Sequence, residues 1–221
     1  MARERQLFPD PRLAGEEGIL CVGGSLDLET LLEAYSIGVF PWPQQGLPLL
    51  WFSPAERGVI DFDEIHWPRR LLQELRAKPM EITFNQEFAK VIHECAKIPR
   101  AHEAGTWILP AMERAYVKFH EAGFAHSVEC WEDGRLVGGL YGVYVRGVFS
   151  GESMFHKVTG ASKRCLHALV GRLEAQGVKW MDIQMVTPVS KSFGGKYVAR
   201  EEFLERLEEA HRAHPEKLEL K

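Results

Sequence analysis

The chain is predicted to fold as an α+β protein, with a small N-terminal α/β domain over 1–57 and a larger domain over 58–221 built on a mostly antiparallel sheet. Three observations lead there. Apolar runs at 125–131, 136–145 and 148–155 are separated only by the turn pairs Asp133-Gly134 and Arg146-Gly147, the pattern of consecutive antiparallel strands. A helical pattern over 161–176, ended by Gly177, then leads into one more apolar strand, 178–186, so a strand–helix–strand crossover extends the sheet. Upstream, a proline- and tryptophan-rich stretch from Phe40-Pro41-Trp42-Pro43 to Trp51-Phe52-Ser53-Pro54 marks a change of composition near 55–60.

The remaining elements follow from apolar spacing and punctuation. Residues 1–25 are irregular up to the turn at Val22-Gly23-Gly24. Ser25 is expected to cap a short helix whose apolar face is Leu28, Leu31, Leu32 and Tyr35, stopped by Gly38. Pro68 opens a helix carrying Leu71, Leu72 and Leu75, and 80–84 is a strand. Asn85 is expected to cap a helix with Phe88, Val91, Ile92 and Cys95 on one face, ended before Pro99. Further helices cover 110–123 and 200–213. Strands followed by a crossover helix resemble the acetyltransferase-like fold of the GNAT type, which several acyl-transferring families share.

Composition narrows the function. A chain of 221 residues, 45% hydrophobic and 26% charged, can bury a sizeable core. A net charge of −4 excludes a protein that coats nucleic acid, so any phosphate contact must come from a local basic patch. Cys21, Cys95, Cys130 and Cys165 lie far apart without C-x-x-C spacing, which argues against a structural zinc site or a disulfide framework and for reduced, buried thiols. The charged N-terminus is not a signal peptide, and no run approaches the roughly 20 apolar residues of a membrane span. A soluble cytoplasmic protein is expected.

Three segments carry candidate chemistry. In Trp180-Met181-Asp182-Ile183-Gln184-Met185, strand alternation projects Asp182 and Gln184 together and sends Met181, Ile183 and Met185 into the opposite layer. Two such polar groups need partners if buried; the alternative is an edge strand with one wet face. In Gly147-Val148-Phe149-Ser150-Gly151-Glu152-Ser153-Met154-Phe155 a single carboxylate stands among small and apolar residues. Gly151 permits a close approach or a bulge that re-aims Glu152; the alternative is a carboxylate tied to a neighbouring helix or turn. Glu103-Ala104-Gly105-Thr106-Trp107-Ile108 is a loop presenting Trp107, which with Trp42 and Trp51 suggests aromatic faces suited to stacking a base, or else core packing.

The segments Tyr35-Ser36-Ile37-Gly38-Val39-Phe40-Pro41-Trp42, Leu50-Trp51-Phe52-Ser53-Pro54, Gly105-Thr106-Trp107-Ile108, Gly138-Gly139-Leu140-Tyr141-Gly142-Val143, Gly151-Glu152-Ser153-Met154-Phe155, Ala161-Ser162-Lys163 and Asp182-Ile183-Gln184 together resemble, in this order, the leucyl/phenylalanyl-tRNA–protein transferases. The resemblance spans about residues 20–205. It implies a small N-terminal domain before an acetyltransferase-like one, no metal and no cofactor, and transfer of Leu or Phe, weakly Met, from aminoacyl-tRNA to proteins bearing N-terminal Arg or Lys. Such transfer marks the acceptor for degradation. Position by position, it implies Asp182 and Gln184 as a catalytic pair, Glu152 as a third acidic site residue, and Trp42 and Trp107 around the terminal adenosine of the tRNA. Leu140, Phe149, Met154, Leu166, Leu169 and Leu173 would form the side-chain pocket. Family members commonly carry Asn and His where this chain has Thr187 and Val189, so no role is assigned there.

The aminoacyl ester is already activated, so no enzyme nucleophile is required, and Asp182, Glu152 or the substrate's own groups can take the amine's proton. Two basic groups, Arg69, Arg70, Arg76 and Lys78, then Lys157, Lys163 and Arg164, are expected to contact tRNA phosphates, against the alternative of solvated helix faces. A monomer without membrane contact is expected. The competing enzyme reading is a coenzyme-A-dependent acetyltransferase, whose pyrophosphate loop would be Lys157-Val158-Thr159-Gly160-Ala161-Ser162, with a single glycine. A non-catalytic RNA- or degron-binding module is the third.

Overall fold

The computed structural model describes residues 7–44, 46–98, 107–214, 217–218 and 220. The N-terminal part holds strand β1 (Ile19–Val22), helix α1 (Leu28–Ser36) and strands β2 (Phe40–Pro41) and β3 (Leu50–Phe52), and its three strands form a sheet in the order β1-β3-β2. The chain continues through β4 (Glu56–Asp61), α2 (Arg69–Ala77), β5 (Glu81–Phe84), α3 (Phe88–Ala96), α4 (Pro110–Glu121), β6 (Ala125–Glu132), β7 (Arg135–Val145), β8 (Val148–His156), α5 (Ala161–Glu174), β9 (Trp180–Gln184), α6 (Pro188–Lys191), β10 (Lys196–Ala199) and α7 (Arg200–Ala213). A seven-stranded sheet runs β10-β4-β9-β8-β7-β6-β5. Its pairs are antiparallel except β8–β9, which α5 joins as a parallel crossover. The α+β class and the order of meander, crossover helix and parallel strand are those expected.

Alternation along β7 divides the core. Tyr141, Val143 and Val145 face α1, α3 and α4, while Leu140 and Tyr144 face α5. A third cluster of Val59, Val148, Trp180 and Val198 lies under α7 through Phe203, Leu204 and Leu207. The expected division at 57/58 falls inside β4, whose length pairs in the large sheet.

Several local expectations are corrected. Asp27, not Ser25, caps α1: its carboxylate accepts the Thr30 N–H at 2.8 Å, and the Ser25 hydroxyl donates to that same carboxylate. Leu28 is exposed, so the buried stripe of α1 runs through Leu31, Ala34 and Tyr35. Asn85 does not cap α3. It takes a left-handed backbone, φ +58°, and its side chain is spent on the Ser127 N–H and the Leu220 carbonyl. Strand β9 is interior, because β4 and β10, which the sequence pattern does not reveal, extend the sheet beyond it.

Helix α1 ends where Gly38 adopts φ +78°, turning the chain under α7. A Cβ there would lie 2.7 Å from Phe203 Cε1. Gly38→Ala combines this clash with a disfavoured φ and is expected to destabilise the fold by about 1–3 kcal/mol, a fall in Tm of roughly 3–10 °C. Calorimetry checks this; an unchanged Tm would mean that α1 and α7 are not in fixed contact.

Candidate active site

Strands β8 and β9 pair at two positions only, Phe149 with Met181 and Ser150 with Asp182, and beyond them they part. A bulge on each side of the gap aims a polar side chain into it. In the β7–β8 register Tyr141 faces Ser153 and Gly142 faces Gly151, which leaves Glu152 as the extra residue. The bulge expected beside Gly151 is therefore present. In the β4–β9 register Gly58 faces Gln184 and Val59 faces Asp182, leaving Ile183 extra, and Gln184 takes a left-handed backbone, φ +53°. Only glycine fits at 58, since a Cβ would meet the Met185 backbone at 2.8 Å.

Glu152 and Gln184 meet across the gap. Gln184 Nε2 donates to Glu152 Oε1 at 2.9 Å, and the Tyr35 hydroxyl donates to the same oxygen at 2.8 Å. The Tyr116 hydroxyl in turn hydrogen-bonds that of Tyr35. Both donors converge on one oxygen, so Glu152 Oε2 has no protein donor among the described residues.

Asp182 is placed differently from the expectation. The bulge at Ile183 breaks the alternation, so Asp182 and Gln184 do not share a face. Asp182 is fully buried, and its carboxylate accepts four hydrogen bonds: Arg57 Nε and Nη2 at 2.8 Å each, Ser150 Oγ at 2.9 Å and the Gln184 backbone N–H at 2.9 Å. An ion this well satisfied has no lone pair for a substrate, and it does not line the cavity. Its effect on Gln184 passes through the backbone.

Where the strands part lies a cavity of about 550 Å³. Leu140, Phe149, Met154, Leu166 and Leu169 of the expected pocket line it, with Glu152 and Ser153 of β8 and Gln184 of β9 among its polar groups. Leu173, one turn further along α5, belongs to the core instead. Ile60, Met181, Ile183 and Phe193 complete the apolar wall, and Thr187 and Val189, to which no role was assigned, also line it. Trp42 and Trp107 border the same cavity and stack on each other, centroids 5.4 Å apart and planes inclined by 15°. Residues 103–106 of the loop before Trp107 lie outside the described residues.

The family model for leucyl/phenylalanyl-tRNA protein transferase matches residues 59–208, and that for its N-terminal domain matches 24–55. The chain belongs to this aminoacyltransferase family. It is 46% identical to the leucyl/phenylalanyl-tRNA–protein transferase of Nitratidesulfovibrio vulgaris (strain DP4) over 93% of this chain and 88% of that one. The enzyme of that name from Stutzerimonas stutzeri (strain A1501) is also 46% identical, over 94% and 92%. Among solved structures, L-PGS from Bacillus licheniformis aligns with TM-score 0.40 and 13% identity over 85% of this chain and 71% of that one, a distant likeness.

Within this family member, Tyr35, Tyr116, Arg57 and Ser150 are site residues that sequence reasoning missed. Tyr35 falls on an apolar helix face and in a segment that carries the family resemblance, neither of which assigns its hydroxyl; a buried tyrosine hydroxyl needs a partner, and that is the available signal. Arg57 carried one too, as a charge entering the apolar run Val59-Ile60.

The basic residues divide. Arg69, Arg70 and Arg76 are exposed on α2, with Lys78 just beyond it; Arg70 pairs with Glu74, and Lys78 with Glu132. Lys157 pairs with Glu94 at 2.9 Å, and the Lys163 ammonium lies 5.6 Å from the centre of the Phe193 ring. Arg164 is a correction: it is buried, and its Nη2 donates to the Glu74 carbonyl at 2.8 Å, tying α5 to α2. The start of α5 does not suit a pyrophosphate either. Glu74 Oε2 would lie 3.4 Å from a Cβ on Gly160, so a carboxylate already faces the helix start.

Burial pushes the Glu152 carboxyl up to about 8, aided by the Asp182 charge and opposed by the Tyr35 hydrogen bond, Arg57 and Gln184. One side of Glu152 opens on the cavity, but dense packing elsewhere keeps water from solvating its charge. Burial also holds the Tyr35 and Tyr116 hydroxyls well above their usual range, so both remain donors. A carboxyl whose folded pKa is raised favours the native state below its unfolded pKa, and that contribution is lost as pH rises towards 8. Glu152→Gln is therefore expected to gain stability over the parent as pH climbs from 5 to 9, levelling above 8, by on the order of a few kcal/mol. Melting temperatures across that range test it, and a pH-independent difference would contradict the raised carboxyl.

Proposed function

We propose that this chain moves leucine or phenylalanine, and weakly methionine, from charged tRNA to the N-terminal Arg or Lys of an acceptor protein, creating an N-degron. One observation carries the reading: an apolar cavity in which a carboxylate oxygen has no protein donor among the described residues, bordered by stacked indoles, in a chain of this family. The amino-acid side chain would enter among Leu140, Met154 and Leu166, and the terminal adenosine would lie against Trp42 and Trp107. Several neutral side chains fit such a wall, and one methylene changes affinity by only about 1–3 kcal/mol, so selectivity is graded.

In the reaction the acceptor's α-amine attacks the ester carbonyl, the C–N bond forms, and the bond to the ribose O3′ breaks. An α-amine has a pKa of about 8, close to that of Glu152, so the proton passes between them at little cost. Glu152 Oε2 takes the proton from the attacking nitrogen and returns it to the departing O3′. Gln184, held by Asp182 through its backbone, orients Glu152 and offers its Oε1 to the amine. Asp182 is neutralised by Arg57, so the carboxyl left to meet the acceptor's amine is that of Glu152, which charges only as it gives up its proton. Arg69, Arg70, Arg76, Lys78, Lys157 and Lys163 are candidates for the phosphate-contacting surface; exposed ion pairs worth about 0–1 kcal/mol yield readily to phosphate. We take the enzyme to act as a cytoplasmic monomer. No described helix is long and apolar enough to cross a membrane.

The test is incubation with leucyl-tRNA and a peptide beginning with Arg, followed by mass spectrometry. A mass gain of one leucine is expected, and Glu152→Ala and Gln184→Ala should each slow single-turnover transfer by roughly 100-fold or more without lowering Tm. Charge reversal of Lys157 and Lys163 should raise the KM for tRNA and flatten its salt dependence while sparing a minimal aminoacyl-adenosine donor. No mass gain, or variants within a few-fold of the parent, would overturn the assignment.

A further inference from the structure

Arg57 touches no reacting atom in the chemistry just described, yet its guanidinium is held at every nitrogen. Its residue is buried in β4, its Nε and Nη2 grip both oxygens of Asp182, and its Nη1 donates to the Gly38 carbonyl at 2.9 Å. The guanidinium also lies 4.5 Å from the centroid of Phe40 and 4.5 Å from that of Phe203. Three parts of the chain meet on it: the turn after α1, which leads through Phe40 to Trp42; the C-terminal helix α7; and the catalytic strand β9.

We propose that Arg57 is a positioning residue of the transfer, setting Gln184 against Glu152 through Asp182. The bonds leave little alternative route. Gln184 occupies a left-handed backbone that a non-glycine residue adopts at a cost, and the Asp182 Oδ1 that accepts its N–H is the oxygen bonded to Arg57 Nε. Free rotation of the Asp182 carboxylate would release that N–H and let Gln184 swing away from Glu152. The planar fork matters as well as the charge. A lysine at 57 can neutralise Asp182, but its point-like ammonium cannot hold both carboxylate oxygens and the Gly38 carbonyl in one plane.

The inference rests on the proposed transfer at Glu152 and Gln184, and the test separates the two. Steady-state transfer is measured for Arg57→Lys, for Gln184→Ala and for the double variant, with activity corrected for folded fraction. Ile92→Ala, at a buried position on α3 that does not line the cavity, serves as a destabilised control. Arg57→Lys is expected to lower kcat roughly 10- to 100-fold, the scale of a displacement of about 1 Å at the reacting atoms, with KM for aminoacyl-tRNA within about threefold. In the Gln184→Ala background the same lysine should cost less than about twofold more, because the group that Arg57 positions is gone. The Ile92→Ala control should keep its kcat. If Arg57→Lys proves too unstable to assay, Ser150→Ala, which removes one donor from Asp182 without uncovering a buried charge, should lower kcat severalfold with the same dependence on Gln184. A normal kcat in folded Arg57→Lys, or equal losses in both backgrounds, overturns the positioning role. Full activity in Gln184→Ala alone would instead overturn the underlying site.

Discussion

The buried ion pair between Arg57 and Asp182 is the constraint on which the site depends. Two charges withdrawn from water are tolerable only when every lone pair and donor is matched, and removing one partner of such a pair costs about 3–5 kcal/mol. Here the match extends past the pair itself. Ser150 of β8 and the backbone of Gln184 complete the carboxylate, while Gly38, Phe40 and Phe203 complete the guanidinium. Strand β9, the N-terminal turn and α7 are thus joined at one point, and the backbone of the residue that meets Glu152 is part of that joint.

Around it the sheet is arranged to open. Two parallel strands that pair only briefly, each bordered by a bulge, create a cavity that a regular sheet would have closed. The apolar wall proposed to take a leucine or phenylalanine side chain also deprives Glu152 of water and lifts its pKa towards that of an amine. Pocket specificity and proton-transfer competence therefore share one physical cause. The cost appears as stability lost as pH rises from the ordinary carboxylate range towards 8, a trade between activity and stability of a familiar kind.

Much of the architecture was legible in the sequence because it is local. The meander over β6, β7 and β8, the crossover helix and β9 follow from short-range periodicity and turn pairs. The bulge at Glu152 was signalled by the adjacent glycine, and five of the expected pocket residues line the cavity. What escaped was long-range. Strands β4 and β10 are short and stand beside prolines or glycines, so β9 could be taken for an edge. Periodicity put Asp182 beside Gln184 but could not foresee that a single-residue bulge would turn them apart, or that an arginine 125 residues away would claim the carboxylate. Arg164 was misjudged for a similar reason. It belongs to a basic cluster in sequence, but the helix faces it into α2 rather than into solvent.

Glu152 Oε2 is proposed to meet the reacting nitrogen while the amino-acid side chain fills the cavity. A crystal structure with a stable donor analogue, phenylalanine joined to the 3′ position of 3′-amino-3′-deoxyadenosine through an amide, tests it most directly. The account predicts the phenyl ring among Leu140, Met154 and Leu166, the adenine against Trp42, and Glu152 Oε2 facing the carbonyl carbon across a space that an amine nitrogen can occupy within hydrogen-bond reach of that oxygen. A phenyl ring outside the cavity, or a carbonyl turned away from Glu152 with Asp182 freed from Arg57 to replace it, would contradict the account.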